Sequence, residues 1–209
     1  MTYTKAQAIQ KIADKLSELS YEKTLLLLSG GSSAEVGARA YLLAQPKYTT
    51  VAMVDERFVE FGSEDSNATL LKKAGLTTFS EIIHKDSIGR HETAVQYENT
   101  LNDLVQNNGK VIAVVGIGTD NHTAGILPNT SAATTHHDGV TDYETEQFER
   151  ITITPAFFEH IDIVYVYAEG ESKAEAISLL EERRDSVKEP SQNIKRAKEW
   201  HVLFNKENV

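Results

Sequence analysis

The chain has 209 residues, a formal net charge of −10 and no cysteine. Hydrophobic residues make up 40% and charged residues 25%, an ordinary globular balance with enough apolar mass for a substantial core. The acidic balance argues against a nucleic-acid surface, which needs basic residues to displace condensed counterions. The missing cysteines exclude disulfides, a thiolate nucleophile and a zinc–thiolate site.

In chain order, Ile9, Ile12, Ala13, Leu16 and Leu19 recur at helical spacing and predict an amphipathic helix over about 5–20. TLLLLS (24–29) is a continuous apolar run ending at Gly30 and Gly31, as expected of a strand covered on both faces. A helix follows over about 33–43, then a strand TVAMV (50–54), a polar loop and a short helix near 68–73. Residues 91–106 read as another helix and VIAVVGIG (111–118) as the clearest buried strand. The stretch 129–148, rich in Thr, Asp and His without periodicity, reads as a long surface loop. RITIT (150–154) and DIVYVYA (162–168) read as strands, 172–183 as a helix and HVLF (201–204) as a last strand.

Strands alternating with helices predict a single α/β domain over 1–209, a doubly wound, mostly parallel sheet with helices on both faces. The N-terminal stretch MTYTKAQAIQKIADKL is polar throughout, so no secretory signal is expected. The longest apolar run, Leu25 to Leu28, is too short to span a membrane. A cytoplasmic chain without membrane or nucleic-acid partners is the expectation.

Three polar segments fall at carboxyl ends of predicted strands, where doubly wound sheets bind ligands. The first is Ser29-Gly30-Gly31-Ser32-Ser33. It matches neither the Walker nor the dinucleotide pattern. It reads either as a phosphate loop opening a helix or as a tight turn with a serine N-cap. The second is Asp55-Glu56-Arg57. Arg57 can fork onto a phosphate and Asp55 can bind hydroxyls or act as a base, or the triplet is a solvated charge cluster. Asn67 reads as a helix N-cap or a pocket residue. The third is GIGTDNH (116–122). His122 is a natural general base near neutral pH, and Asp120 can orient its ring. His136, His137 and Asp138 are the other clustered candidate ligands, but their spacing supports no first shell, so no metal is expected.

The blocks LLLLSGGSS, VDERFVEFGSEDSN, GIGTDNHTAGILP, RITIT and GESKAEAI, in this order, resemble the family of 6-phosphogluconolactonases and glucosamine-6-phosphate deaminases. The resemblance runs from Leu25 to about Trp200. It implies a small phosphorylated sugar as substrate and no cofactor. It implies phosphate contacts from Ser29, Gly30, Gly31 and Ser32, and from the cations Arg57, Lys173 and Arg150. Asp55 and Asn67 join the substrate site.

Within the family, a deaminase would use Asp55 as a carbon base and would carry a glutamate five residues after the histidine; here that position is Leu127. His122-Thr123-Ala124 follows the lactonase pattern. The resemblance therefore implies hydrolysis of 6-phospho-D-glucono-1,5-lactone to 6-phosphogluconate, a pentose phosphate pathway step, with His122 activating water. A deaminase or a non-catalytic sugar-phosphate sensor is the alternative. Departures are Asn121 for the family's glycine, Ser33 for threonine, Asn129 for a glycine, Asn205 for an aspartate, and a short chain. At a positive φ, asparagine is the most tolerable substitute for glycine.

Overall fold

The computed structural model describes residues 2–84 and 87–207. Its central sheet holds β1 (Thr24–Leu28), β2 (Thr49–Met53), β4 (Lys110–Gly116), β7 (Ile163–Glu169) and β8 (Glu199–Asn205). Their order is β2-β1-β4-β7-β8 and every pairing is parallel. Apolar character follows from position. All five residues of β1 are buried, because strands lie on either side of it and helices flank the sheet. Each fully buried leucine there contributes about 1.5–3 kcal/mol relative to exposure.

Helix α1 (Lys5–Glu18) begins with a reciprocal cap. The Gln7 amide donates to Thr4 Oγ1 at 3.2 Å, and the Thr4 amide donates to Gln7 Oε1 at 2.9 Å. It buries Ala8, Ile12, Ala13 and Leu16 and packs on α2 (Gly31–Ala44), which in turn covers β4 and β7. Helix α2 starts two residues earlier than its sequence pattern indicates. Helices α3 (Asn67–Lys73), α4 (Arg90–Asn107) and α6 (Ala174–Glu181) fall close to expectation. Short 3₁₀ turns at Ala156–His160, Glu171–Lys173 and Pro190–Arg196 complete the connections.

Two expectations are corrected. Asp55-Glu56-Arg57 is not a loop but a strand, β3 (Asp55–Arg57), of a second sheet. The segment 129–148 is not a bare surface loop either. It contains a short helix α5 (Ser131–Thr134) and strand β5 (Val140–Glu144), which forms a hairpin with β6 (Glu149–Ile153). The second sheet is antiparallel with order β3-β6-β5. Helix α4 packs on β5 and β6. There Arg90 reaches Asp142 at 2.8 Å and Glu149 at 2.6 Å.

The topology places a crevice. Strand β1 has β2 on one side and β4 on the other, so the winding reverses between β1 and β4. The chains leaving these two strands diverge to opposite sides and leave a gap at their carboxyl ends. SGGSS and GIGTDNH are the two segments that leave β1 and β4. No helix among the described residues is long and apolar enough to cross a membrane.

Candidate active site

A cavity of about 180 Å³ opens at this crevice. Its lining includes Ser29, Gly30, Gly31, Ser32, Asp55, Arg57, Asn67, His122, Arg150 and Lys173, together with Gly116, Ile117 and Ala124. Ten of the residues singled out from sequence thus face one space. Asp120 does not line it and stands behind His122 instead.

The glycine loop turns directly into α2. Gly31 adopts φ +62, a left-handed conformation natural to glycine. The helix N-cap is Gly30, with no side-chain cap. The serine N-cap expected as one alternative is therefore absent, and Ser33 Oγ instead donates back to the Gly30 carbonyl at 2.8 Å. The first amides of a 14-residue helix face the cavity region without a capping oxygen, the arrangement that favours an anion.

Behind this loop lies a buried polar layer. Strand alternation sends Asp55 and Arg57 to the cavity and Glu56 to the other side. Asp55, only 4% exposed, accepts from Ser29 Oγ at 2.7 Å and from Asn67 Nδ2 at 2.9 Å. Burial pushes its carboxyl above the usual carboxylate range, against those hydrogen bonds and the charges of Arg150 and His122. Asn67 is not the N-cap of α3. Ser66 takes that role, with its Oγ accepting from the Thr69 amide at 3.2 Å. Asn67 instead cross-braces Asp55. Glu56 accepts from the amides of Arg57, Asn67 and Ala68 and from Ser66 Oγ at 2.6–2.9 Å. Burial raises its pKa to about 7, against those four donors. The triplet is thus an internal brace, not a solvated cluster.

The opposite wall is the turn after β4. The Gly118 amide donates to the His122 carbonyl at 2.8 Å, and the Asn121 amide to the Gly118 carbonyl at 3.1 Å. Asn121 sits at the tip with φ +63, and the Ser191 amide pins its carbonyl at 2.9 Å. Asn129, also in place of a family glycine, has φ +58. Asparagine at these two positions is in keeping with its tolerance of the left-handed region.

His122 Nδ1 lies 2.6 Å from Asp120 Oδ1. That hydrogen bond lowers the Asp120 pKa to about 2, against partial burial. An ionised carboxylate only accepts, so Nδ1 carries the hydrogen, and in the neutral ring Nε2 is the nitrogen with the lone pair. Because the folded-state value lies below the ordinary 3.8, the ionised Asp120 stabilises the fold. That contribution is complete above about pH 4 and disappears as pH falls through about 2. Thermal midpoints of the wild type and Asp120→Asn, measured from pH 5 downward, should converge over that window; a gap that stays constant to pH 2 would contradict the pairing.

Three cations border the cavity. Arg57 and Arg150 are directly opposed across the β3–β6 ladder. Lys173 enters from the turn before α6; burial lowers its pKa, and the charge of Asp120 opposes that shift. Sequence reasoning missed Tyr143 and Thr152, which tie down the Gly125 backbone. Tyr143 Oη donates to the Gly125 carbonyl at 2.5 Å, and the Gly125 amide donates to Thr152 Oγ1 at 3.0 Å. His137 and Asp138 are engaged separately, His137 with Glu98 at 2.6 Å and Asp138 with His160 at 2.8 Å.

Residues 2–203 match the family described as glucosamine-6-phosphate isomerases/6-phosphogluconolactonase. A curated relative from Arabidopsis thaliana, named "Probable 6-phosphogluconolactonase 1", is 29% identical over 74% of this chain. The chain spans 66% of that relative's length. A 6-phosphogluconolactonase from Shewanella baltica OS155 superimposes with a TM-score of 0.77 at 20% identity, covering 97% of this chain and 95% of that one. A monomeric glucosamine-6-phosphate deaminase superimposes with a TM-score of 0.74 at 17% identity, covering 98% and 97%. Both structures share the fold of this chain, and the fold by itself does not separate the two chemistries. With the match running over almost its whole length, the chain belongs to the glucosamine-6-phosphate isomerase/6-phosphogluconolactonase family.

Proposed function

We propose that this chain hydrolyses a phosphorylated sugar lactone, 6-phospho-D-glucono-1,5-lactone, to 6-phosphogluconate. The observation that carries the reading is His122, backed by Asp120 at 2.6 Å, on the same cavity as an uncapped helix N-terminus and three cations. A sugar phosphate has an anionic end and, as the lactone, an electrophilic carbonyl at its other end. The cavity offers a partner for each.

In this mechanism Gly30, Gly31, Ser32, Arg57, Arg150 and Lys173 hold the phosphate, while Ser29, whose hydroxyl already donates to Asp55, fixes the floor beneath it. Asp55 and Asn67 shape the floor and meet sugar hydroxyls. His122 Nε2 removes a proton from water as its oxygen bonds to the lactone C1. The resulting imidazolium is stabilised by the ionised Asp120. The tetrahedral intermediate collapses by breaking the bond between C1 and the ring oxygen. The imidazolium returns its proton to that leaving oxygen, which becomes a hydroxyl. Water has then been added across the ester, and neither cofactor nor metal takes part. The absence of cysteine suits a reducing compartment, and the proposal places the enzyme in the cytoplasm.

The competing reading, an amino-sugar-phosphate deaminase, draws on Asp55, a buried carboxylate in the cavity with a raised pKa. Both its oxygens are already engaged by Ser29 and Asn67, and the position of the deaminase glutamate holds Leu127. One preparation assayed for both activities decides. Lactone opening well above the spontaneous rate without ammonia release from glucosamine 6-phosphate supports the proposal; ammonia release with background lactone opening refutes it.

The phosphate grip predicts a kinetic split. Arg57→Ala and Lys173→Ala remove charge-assisted contacts distant from the reacting carbon. Each should raise KM for the lactone by about 10- to 100-fold and change kcat little. Steady-state kinetics reads this directly, and an unchanged KM in both variants would remove them from the phosphate site.

A further inference from the structure

We infer that Phe148 is a positioning residue that sets the two arginines of the cavity as one phosphate clamp. The inference rests on the reading of the cavity as a phosphate site. Arg57 and Arg150 face each other directly across an antiparallel pair. Like charges so placed repel, and an isolated sheet gains nothing from them. Both guanidinium groups lie near one aromatic ring. The Phe148 centroid is 5.0 Å from the Arg57 guanidinium carbon and 5.8 Å from that of Arg150. Each approach is within the range at which a cation is attracted to a ring.

The backbone that carries the ring is fixed. Phe148 closes the β5–β6 hairpin through three bonds to Thr145. The Thr145 amide and Oγ1 donate to the Phe148 carbonyl at 2.9 and 2.8 Å, and the Phe148 amide donates to Thr145 Oγ1 at 3.0 Å. Phe148 does not line the cavity, whereas Arg57 and Arg150 do. It therefore acts through them. A guanidinium drawn to a ring keeps its N–H edge free for two parallel bonds to phosphate oxygens. Arg57 spends one donor on the Asp65 carbonyl at 3.0 Å. Arg150 Nε is buried without a hydrogen-bond partner among the described residues. A phosphate dianion between the two guanidinium groups would relieve the repulsion of the opposed charges.

The test uses the full chain with Phe148→Leu, which keeps apolar bulk but loses the ring, and Phe148→Tyr, which keeps the ring. Calorimetric titration with inorganic phosphate needs no turnover. Phe148→Leu should weaken phosphate binding about five- to tenfold, the loss of two cation–ring contacts, and raise KM for the lactone similarly with kcat spared. Phe148→Tyr should restore both, and thermal midpoints of both variants should match the wild type. Wild-type affinity in Phe148→Leu, or equal losses in the leucine and tyrosine variants, would overturn the role of the ring alone. A wild type that binds no phosphate would overturn the reading of the cavity and this inference with it.

Discussion

Replacing His122 by alanine should lower kcat for lactone opening by about 10²- to 10⁴-fold, the usual worth of a positioned general base. The prediction follows from the Asp120 bond at 2.6 Å, which fixes the tautomer and leaves Nε2 free to take a proton from water. The side chain of His122 is 40% exposed, so its removal opens no cavity in the core and the fold should persist. The phosphate grip lies on other residues, so affinity for 6-phosphogluconate should stay within about threefold. The lactone also opens spontaneously, so rates must be read after background subtraction. Wild-type turnover by purified His122→Ala would remove His122 as the base.

Gly118→Ala should reduce kcat by about 100-fold, the cost of displacing a catalytic group by roughly 1 Å. A Cβ at this position would stand 2.1 Å from His122 Nδ1 and 2.2 Å from Asp120 Oδ1. Both overlaps are with side-chain atoms of the dyad itself, so the pair must shift or part to admit the methyl. Either movement takes the imidazole from the position that the native turn gives it. Gly118 lies outside the three-cation cluster, so KM should change little. The exposed dyad can move without disturbing buried layers, so the thermal midpoint should fall by less than about 5 °C for a loss near 1 kcal/mol. Paired kinetics and calorimetry check this. Unaltered kcat would mean that the placement of the dyad by this turn is dispensable.

The core sheet was legible because its strands advertise themselves. Leu25 to Leu28 and Val111 to Val115 are unbroken apolar runs, of the kind that a parallel sheet covered on both faces buries. Each run ends in glycines and polar residues, which marked the ligand-binding edge before any topology was known. The hairpin of the second sheet was hidden for the opposite reason. Strand β5 buries only Val140 and Tyr143 of its five residues, and that spacing of three matches neither face of a strand. Its partner β6 supplies the apolar residues Ile151 and Ile153, so the pairing is a tertiary property. The DER triplet was misleading on its own terms. Three charged residues look solvated, yet Asp55 and Glu56 are 4% exposed, because amides and hydroxyls from α3 and its N-cap arrive to receive Glu56.

The site shows the same division. Residues whose chemistry is conspicuous in sequence, such as Ser29, Arg57 and His122, do meet in one cavity, and Lys173, which only the family resemblance singled out, joins them. Residues that act through a neighbour carried no such signal. Asn67 looked like a cap until the structure gave that task to Ser66. Tyr143 and Phe148 lay in a segment without periodicity, and only the hairpin brings them behind the cavity wall. Asn121 was legible only conditionally: asparagine is the most tolerable substitute for glycine at a positive φ, and its φ is +63.

The direct test of the account is a crystal structure of this chain with 6-phosphogluconate, the product of the proposed reaction. The phosphate should rest on the amides that open α2, between Arg57 and Arg150, with the C1 carboxylate within about 3.2 Å of His122 Nε2. A phosphate bound elsewhere, or a C1 carboxylate far from the imidazole while the phosphate occupies that site, would contradict it.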